Sequence, residues 1–269
     1  MSRIDAALAH LGSLDELAAR DTPAARLDAR AKVVATVAFV AVVASFGRLE
    51  LFRLAPLALY PLALAALGDV PFRPLALRIA LASPFALGVA ALEPFLDRVT
   101  VFVLGGHAVT GGVLAFATIL AKFALSLGAA LVLVATTGFD AVCAALERLG
   151  APRVLVAQLA LTYRYLFVLA DEAARTVRGY ELRAPAGRPD LRTATALIGQ
   201  LLVRALARAE RVHAAMRCRG FDGRLRLRRS ARPGGHDLAF ALGVAALLVV
   251  ARAVDVPRVL EGVLTGRGG

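Results

Sequence analysis

Thiol and imidazole side chains, which serve as zinc ligands and as the nucleophiles and bases of many enzymes, are scarce in this chain. Its 269 residues hold two cysteines, Cys143 and Cys218, and four histidines. Two lone thiols make no zinc site, and both lie in the part assigned below to the cytoplasm, where a disulfide is not expected. His10 and His107 stand alone, outside any ligand spacing, so we interpret them as surface histidines.

The chain also lacks the motifs of several enzyme classes. It has no glycine-rich phosphate loop, no nucleophile–base pair and no carboxylate dyad. We therefore expect no catalytic residues, no bound cofactor or metal, and no ATP site. The first thirty residues carry Asp15, Glu16, Asp21 and Asp28 without an early apolar core, so no cleavable signal peptide is expected.

Apolar residues dominate the composition and indicate an all-α integral membrane protein. They form 59% of the chain, and the mean hydropathy is +0.69. The pattern predicts about five membrane helices, at residues 32–46, 51–67, 75–92, 112–135 and 238–254. Residues 1–31 precede the first, 32–137 form a four-helix membrane region, and 238–269 hold the last helix and a C-terminal tail. Pro56 and Pro61 are expected to kink the second helix.

Two features interrupt the apolar pattern. Strand-forming residues 99–103 before Gly105-Gly106 predict a short hairpin or a re-entrant segment at the membrane surface. Lys122 falls in the middle of the fourth helix, about 15 Å from either surface. A charge there implies a partner or a polar cavity, and we favour a structural contact over ion conduction.

The distribution of positive charge sets the orientation. The net charge is +12, and 18 of the 32 Lys and Arg residues lie between Arg148 and Arg232. With the N-terminus inside, the inner segments 1–32, 68–78 and 138–236 hold 25 of them. We predict a cytoplasmic N-terminus, an outer C-terminus and a basic cytoplasmic surface. Such a surface explains the charge better than nucleic-acid binding does.

Residues 138–223 are predicted to form a cytoplasmic region with two long helices, at about 153–184 and 190–221. A basic loop, residues 224–237, follows. Residues 154–170 are apolar enough to span, but that arrangement would export the arginine-rich helix and place Arg164 in hydrocarbon. The second long helix would be roughly 45 Å long and end at Gly220. Its apolar stripe consists of Leu191, Ala194, Ile198, Leu201, Ala205, Val212 and Met216. A basic stripe on the same helix consists of Arg204, Arg208 and Arg211.

Each long helix ends on an arginine beside small residues. The two ends read Leu182-Arg183-Ala184 and Cys218-Arg219-Gly220. If the helices double back across a short link, the two ends lie roughly 40 Å apart. A two-subunit partner with one groove per subunit would suit that spacing, because arginine can bind a carboxylate or carbonyls bidentately.

At these residues the chain resembles the transmembrane T component of energy-coupling factor transporters, most closely the cobalt and nickel branch. The resemblance covers most of the chain and is most specific from Leu202 to Phe221. Further matches are Leu27 to Lys32 (with Ala29 where proline is usual), Thr136-Thr137, Tyr163-Arg164-Tyr165 and Asp171-Glu172.

The resemblance implies a non-catalytic scaffold of an ATP-driven importer for cobalt or nickel in the bacterial cell membrane. Two cytoplasmic ABC-type ATPase subunits would hydrolyse ATP. A separate membrane S component would bind the substrate, with or without a small accessory membrane subunit. The family docks two arginines into grooves on the ATPases. Carried over, these are Arg183 and Arg219, with neighbours Leu182, Ala184, Cys218 and Gly220 and the supporting basic stripe. Ala184 stands where glycine is common.

Other functions remain open at this point. The chain could be a T component that serves a vitamin-binding subunit. An intramembrane enzyme that transfers lipid headgroups would use the arginine-rich face to hold phosphates, although no Asp/His cluster accompanies it. A basic anchor for anionic membrane lipid would use the same arginines diffusely.

Overall fold

The computed structural model describes residues 17–18, 20, 22–96, 100–104, 107–184, 190–223 and 234–253. Most of the predicted N-terminal segment and basic loop, the 185–189 link, the turn at Gly105-Gly106 and the C-terminal tail lie outside the described residues. The helices in chain order are α1 (Ala29–Ser45), a 3-10 helix (Leu51–Ala58), α2 (Leu59–Leu67), α3 (Phe72–Ala90), α4 (Glu93–Leu96), α5 (Gly111–Thr137), α6 (Phe139–Arg148), α7 (Arg153–Arg183), α8 (Leu191–Cys218) and α9 (Gly235–Ala253).

One short hairpin interrupts the helices. Strand β1 (Thr100–Leu104) pairs antiparallel with β2 (His107–Thr110), and the register is irregular between Thr100 and Phe102. Strand-forming residues before Gly105-Gly106 predicted a short hairpin or a re-entrant segment, and the structure confirms the hairpin. It connects α4 to the long helix α5.

Long apolar helices confirm the all-α membrane class. In the described part of the chain, α3, α5, α7 and α9 are long and apolar enough to cross a bilayer. Three of them match predicted spans. The other two predicted spans are shorter helices, α1 with 17 residues and the segment Leu51–Leu67. Helix α7 satisfies the same length and composition criterion, and its cytoplasmic placement, which rests on the charge bias, stays a prediction.

The second predicted span differs from the expected single kinked helix. It begins as a 3-10 helix containing Pro56 and becomes α-helical at Leu59. Pro61 stands in the first turn of α2, where the missing N–H is not needed for a helical hydrogen bond. The prolines therefore change the helix type and fix where α2 begins.

The chain divides into two compact units. The first contains the described residues from 17 to 138 together with α9, and helix α5 is its centre because it contacts α1, the 3-10 helix, α2, α3 and α4. The contact of α2 with α5 is close at Gly68, where an added Cβ would overlap the side chain of Thr136. The first and last helices of this unit, α1 and α9, also contact each other.

The second unit contains the described residues from 139 to 223, with helices α6, α7 and α8. Helices α6 and α7 pack through a small apolar core of Cys143, Val156 and Ala160. The ring of Phe139 stacks on that of Tyr163 with 4.1 Å between centroids. These contacts fix the start of α7, from which its remaining turns extend.

Candidate functional site

The end of α7 presents Arg183 to solvent. Arg183 is the last residue of the helix, and the N–H of Ala184 donates to the carbonyl of Tyr180 at 2.9 Å. Leu182 is 86% exposed, Arg183 is also exposed, and Ala184 is partly exposed. The main-chain hydrogen bond ends the helix without any help from the arginine side chain, so the guanidinium is available to a partner.

The end of α8 presents Arg219 in the same way, with a more regular cap. Cys218 is the last helical residue, and Gly220 has a φ of +74°. The N–H of Gly220 donates to the carbonyl of Arg217 at 3.0 Å, and that of Phe221 donates to Met216 at 3.0 Å. This pair of bonds is a Schellman motif, which favours glycine at the left-handed position. The predicted cap at Gly220 is therefore confirmed.

The three arginines of the predicted basic stripe have different surroundings. Arg204 and Arg211 are exposed. Arg208 instead contacts α7, where its Nη2 lies 2.7 Å from Oε2 of Glu172. The carboxylate side chain is only 12% exposed. Helical spacing alone could not reveal this pair, because 36 residues separate its members.

A groove of about 490 Å³ runs between α7 and α8. Its lining is mostly apolar, with Arg208 and His213 as the basic residues. The lining takes residues 158–169 from α7 and 205–216 from α8. The half of α7 before Glu172 therefore faces the half of α8 after about Arg208, and the two helices run in opposite senses where they contact.

A buried charged cluster in the first unit was not predicted. Lys32 is 1% exposed, and its Nζ donates to the carbonyls of Ala24 at 3.0 Å and Thr136 at 3.1 Å. Asp28 and Asp237 attract its charge. The main-chain N–H of Asp28 donates to Oδ1 of Asp237 at 2.6 Å. The cluster joins α1, α5 and α9, whereas in the sequence residues 27–32 stood out only as a segment that resembles the family.

Lys122 has the structural contact that we favoured. Its Nζ donates to the carbonyl of Phe46, the residue after α1, at 2.5 Å. A cation there satisfies a main-chain acceptor at the negative end of the helix dipole. Lys122 therefore ties the fourth predicted span to the end of the first.

Among the residues that the structure describes, no group of three or more His, Cys, Asp or Glu side chains could hold a metal ion.

The two cysteines lie in different surroundings. Cys143 is buried and Cys218 is exposed. Burial, aided by the nearby carboxylate of Asp140, raises the pKa of the Cys143 thiol to about 11.

This difference predicts selective alkylation. At pH 7.5 a maleimide should modify Cys218 and spare Cys143, because the thiolate is the reactive form and Cys143 is both protonated and covered. Mass spectrometry should find one adduct on the native protein and two after denaturation. A Cys218→Ser variant should then show no native adduct. Rapid native labelling of Cys143 would contradict the packing of α6 against α7.

Comparison with known proteins identifies related transport proteins. A family model described as cobalt transport protein, CbiQ, matches residues 20–230. Over 112 residues the chain is 35% identical to the cobalt transport protein CbiQ of Rhodobacter capsulatus, which covers 41% of this chain and 46% of that protein. Over 90 residues it is 37% identical to the nickel permease LarQ of Lactiplantibacillus plantarum, covering 33% of each. The aligned regions thus span less than half of either relative.

Proposed function

The chain belongs to the CbiQ family of cobalt transport proteins, and from this membership we propose that it is the transmembrane scaffold subunit of an ATP-driven importer for cobalt or nickel. Similarity to one protein named for cobalt and another named for nickel supports a divalent transition metal as the substrate. Two ABC-type ATPase subunits supply the hydrolysis, and a separate membrane S component binds the metal. The scaffold itself is non-catalytic and binds no cofactor.

The observation that carries this proposal is the pair of exposed arginines at the ends of α7 and α8. Both residues are exposed, and within the described part of the chain neither guanidinium forms a hydrogen bond or an ion pair. Leu182 and Ala184 flank one arginine, and Cys218 and Gly220 flank the other. The small neighbours Ala184, Cys218 and Gly220 let the tips enter grooves on a partner. A desolvated guanidinium can form charge-assisted hydrogen bonds there. Arg204 and Arg211 add positive charge on the exposed side of α8, toward acidic groups of the ATPase.

Apolar side chains exposed on both long helices supply the second interaction surface. They are Val154, Leu155, Leu159, Leu166, Leu191, Ile198, Leu202, Val203 and Leu206. If α7 and α8 lie on the cytoplasmic side, as the charge bias predicts, water would face these residues unless a partner covers them. The substrate-binding S component, itself a hydrophobic membrane protein, is the partner that this surface fits.

The proposed topology places the N-terminus and residues 138–236 in the cytoplasm and the C-terminus outside a bacterial inner membrane. It predicts that an impermeant maleimide labels Cys218 in inside-out vesicles and not in intact cells. Labelling in intact cells would contradict this topology, because Cys218 is exposed and follows most of the arginine-rich segment.

Reconstitution tests the transport function. The tagged chain should co-purify with two ATPase subunits and an S component when these are co-expressed. Proteoliposomes of the whole complex should accumulate a cobalt or nickel radioisotope only when ATP is present on the ATPase side. Omission of the chain should abolish uptake while the S component still binds metal. ATP hydrolysis by the purified chain alone, or uptake without ATPase subunits, would contradict the proposal.

A further inference from the structure

An ion pair between Glu172 and Arg208 joins α7 to α8. The two side chains meet at 2.7 Å, and the carboxylate is largely covered while the guanidinium is 37% exposed. The main chain at Glu172 also accepts a hydrogen bond from the hydroxyl of Thr176 at 2.8 Å. The pair therefore connects a covered carboxylate on α7 to a partly exposed guanidinium on α8.

Little apolar packing holds these helices together elsewhere. No residue of α8, from Leu191 to Cys218, is buried. Helix α7 has four buried residues, of which Val156 and Ala160 belong to the core shared with α6. A groove rather than a filled core separates α7 from α8 beside the pair. Because apolar contacts are sparse, this ion pair is a directional contact that helps to fix where one helix lies along the other.

The pair precedes both arginine tips by the same number of residues. Arg183 follows Glu172 by eleven residues, and Arg219 follows Arg208 by eleven residues. At the helical rise per residue, each tip extends roughly 16 Å beyond the pair. The segments of α7 and α8 that follow the pair are therefore equal in length. They can present the two tips equivalently to two copies of the same subunit.

We propose that Glu172 and Arg208 are positioning residues that form the pivot of the two tip-bearing helices and transmit ATPase motion between them. This inference rests on the docking of Arg183 and Arg219 proposed above. When the two ATPase subunits move relative to each other, the tips move with them. A fixed crossing converts that movement into a rotation of α7 against α8, whereas a loose crossing lets the helices slide and the movement is lost.

The experiment separates binding from coupling in the reconstituted complex. Glu172→Gln should retain ATPase co-purification and ATP hydrolysis, because both tips and the basic stripe of α8 are intact, and Arg208→Gln removes the other member of the pair. Metal uptake per ATP hydrolysed should fall roughly two- to thirty-fold. This fold-change corresponds to the coupling free energies seen for mutations between two linked sites. The reversed pair, Glu172→Arg with Arg208→Glu, should restore the ratio to that of the native protein.

Two matched controls accompany these variants. Glu210→Gln removes an exposed carboxylate two residues from Arg208, and Arg192→Gln removes an exposed guanidinium from the start of α8. Neither should change the uptake ratio.

Spin labels at Cys218 and at a cysteine placed at Leu182 should give a narrow distance distribution, which broadens in Glu172→Gln and narrows again in the reversed pair.

An unchanged uptake ratio in both single variants, or a reversed pair that stays uncoupled, would overturn the pivot. If a single variant fails to accumulate, the reversed pair decides, because the proposal requires it to accumulate and to couple. Failure of docking has a different signature, since Arg183→Ala and Arg219→Ala would then leave ATPase binding intact. If those variants lose ATPase binding while Glu172→Gln remains fully coupled, the docking proposal stands and the pivot is contradicted.

Discussion

Simultaneous replacement of Arg183 and Arg219 by alanine is expected to abolish ATPase co-purification and metal uptake. Each docked guanidinium would gain charge-assisted hydrogen bonds worth about 1.5–3 kcal/mol. That free energy corresponds to roughly ten- to hundred-fold in affinity for each tip. Each single variant should lose less affinity for the ATPases than the double variant does. The tip that still docks keeps the other helix end close to its ATPase subunit, at high effective concentration. Arg219→Ala should be the more severe, since its glycine-containing motif is the more regular.

Both substitutions should leave the fold intact. The end of α7 is closed by the N–H of Ala184 and the end of α8 by those of Gly220 and Phe221, so no helix cap depends on either arginine side chain. Pull-down with a tagged ATPase, quantified beside the unfolding midpoint of the purified chain, measures the effect. Arg192→Ala, at the opposite end of α8, is the matched control.

Diffuse electrostatics would give the opposite pattern. In that case the tip variants would retain complex formation and uptake, while substitutions in the basic run would be damaging. That run consists of Arg224, Arg226, Arg228 and Arg229, which lie outside the described residues. We expect single changes there to have little effect, because one charge in a run of four contributes little on its own.

Replacement of Lys32 by methionine is expected to destabilise the first unit by about 3–5 kcal/mol, the usual cost of removing one partner from a buried charged group. Lys32 donates hydrogen bonds to two main-chain carbonyls and offsets the negative charge of Asp28 and Asp237. Within the described part of the chain, Oδ2 of Asp28 has no hydrogen-bond partner. Without Lys32, that carboxylate would be buried without a counter-charge.

Thermal unfolding in detergent would measure this effect as a fall of roughly 6–20 °C in the midpoint. Addition of Asp237→Asn to Lys32→Met should recover part of the loss, because it removes a buried negative charge as well. Recovery should be incomplete, since both oxygens of Asp237 accept main-chain hydrogen bonds. Arg48→Met, at a side chain 63% exposed, is the control. A native midpoint in Lys32→Met would show that the cluster is not stabilising.

Local sequence patterns predicted the helices well and the contacts between them poorly. The cap at Gly220 was predictable because a Schellman motif depends on residues within two helical turns. The pairing of Asp28 with Asp237 spans 209 residues, and no local pattern encodes it. Glu172 lay in a segment that resembled the family, yet its partner Arg208 could be found only once α7 and α8 were placed together.

The prolines show a different limit. Pro56 and Pro61 indicated a disturbance in the second span, and the sequence placed it correctly. Whether proline produces a kink, a 3-10 segment or a new helix start depends on which carbonyls the neighbouring helices leave unsatisfied. Those carbonyls belong to the tertiary structure, so the helix type could not be predicted locally.

The contact between Asp28 and Asp237 can form only late in the synthesis of the chain. Helix α9 completes a unit whose other helices end at Thr137, and the whole of α6, α7 and α8 is translated in between. At ribosomal rates, roughly 5–20 s pass before the ribosome reaches Asp237. During that interval α1 carries Lys32 and Asp28 without their last partner. The buried cluster is therefore completed only after α9 has been synthesised.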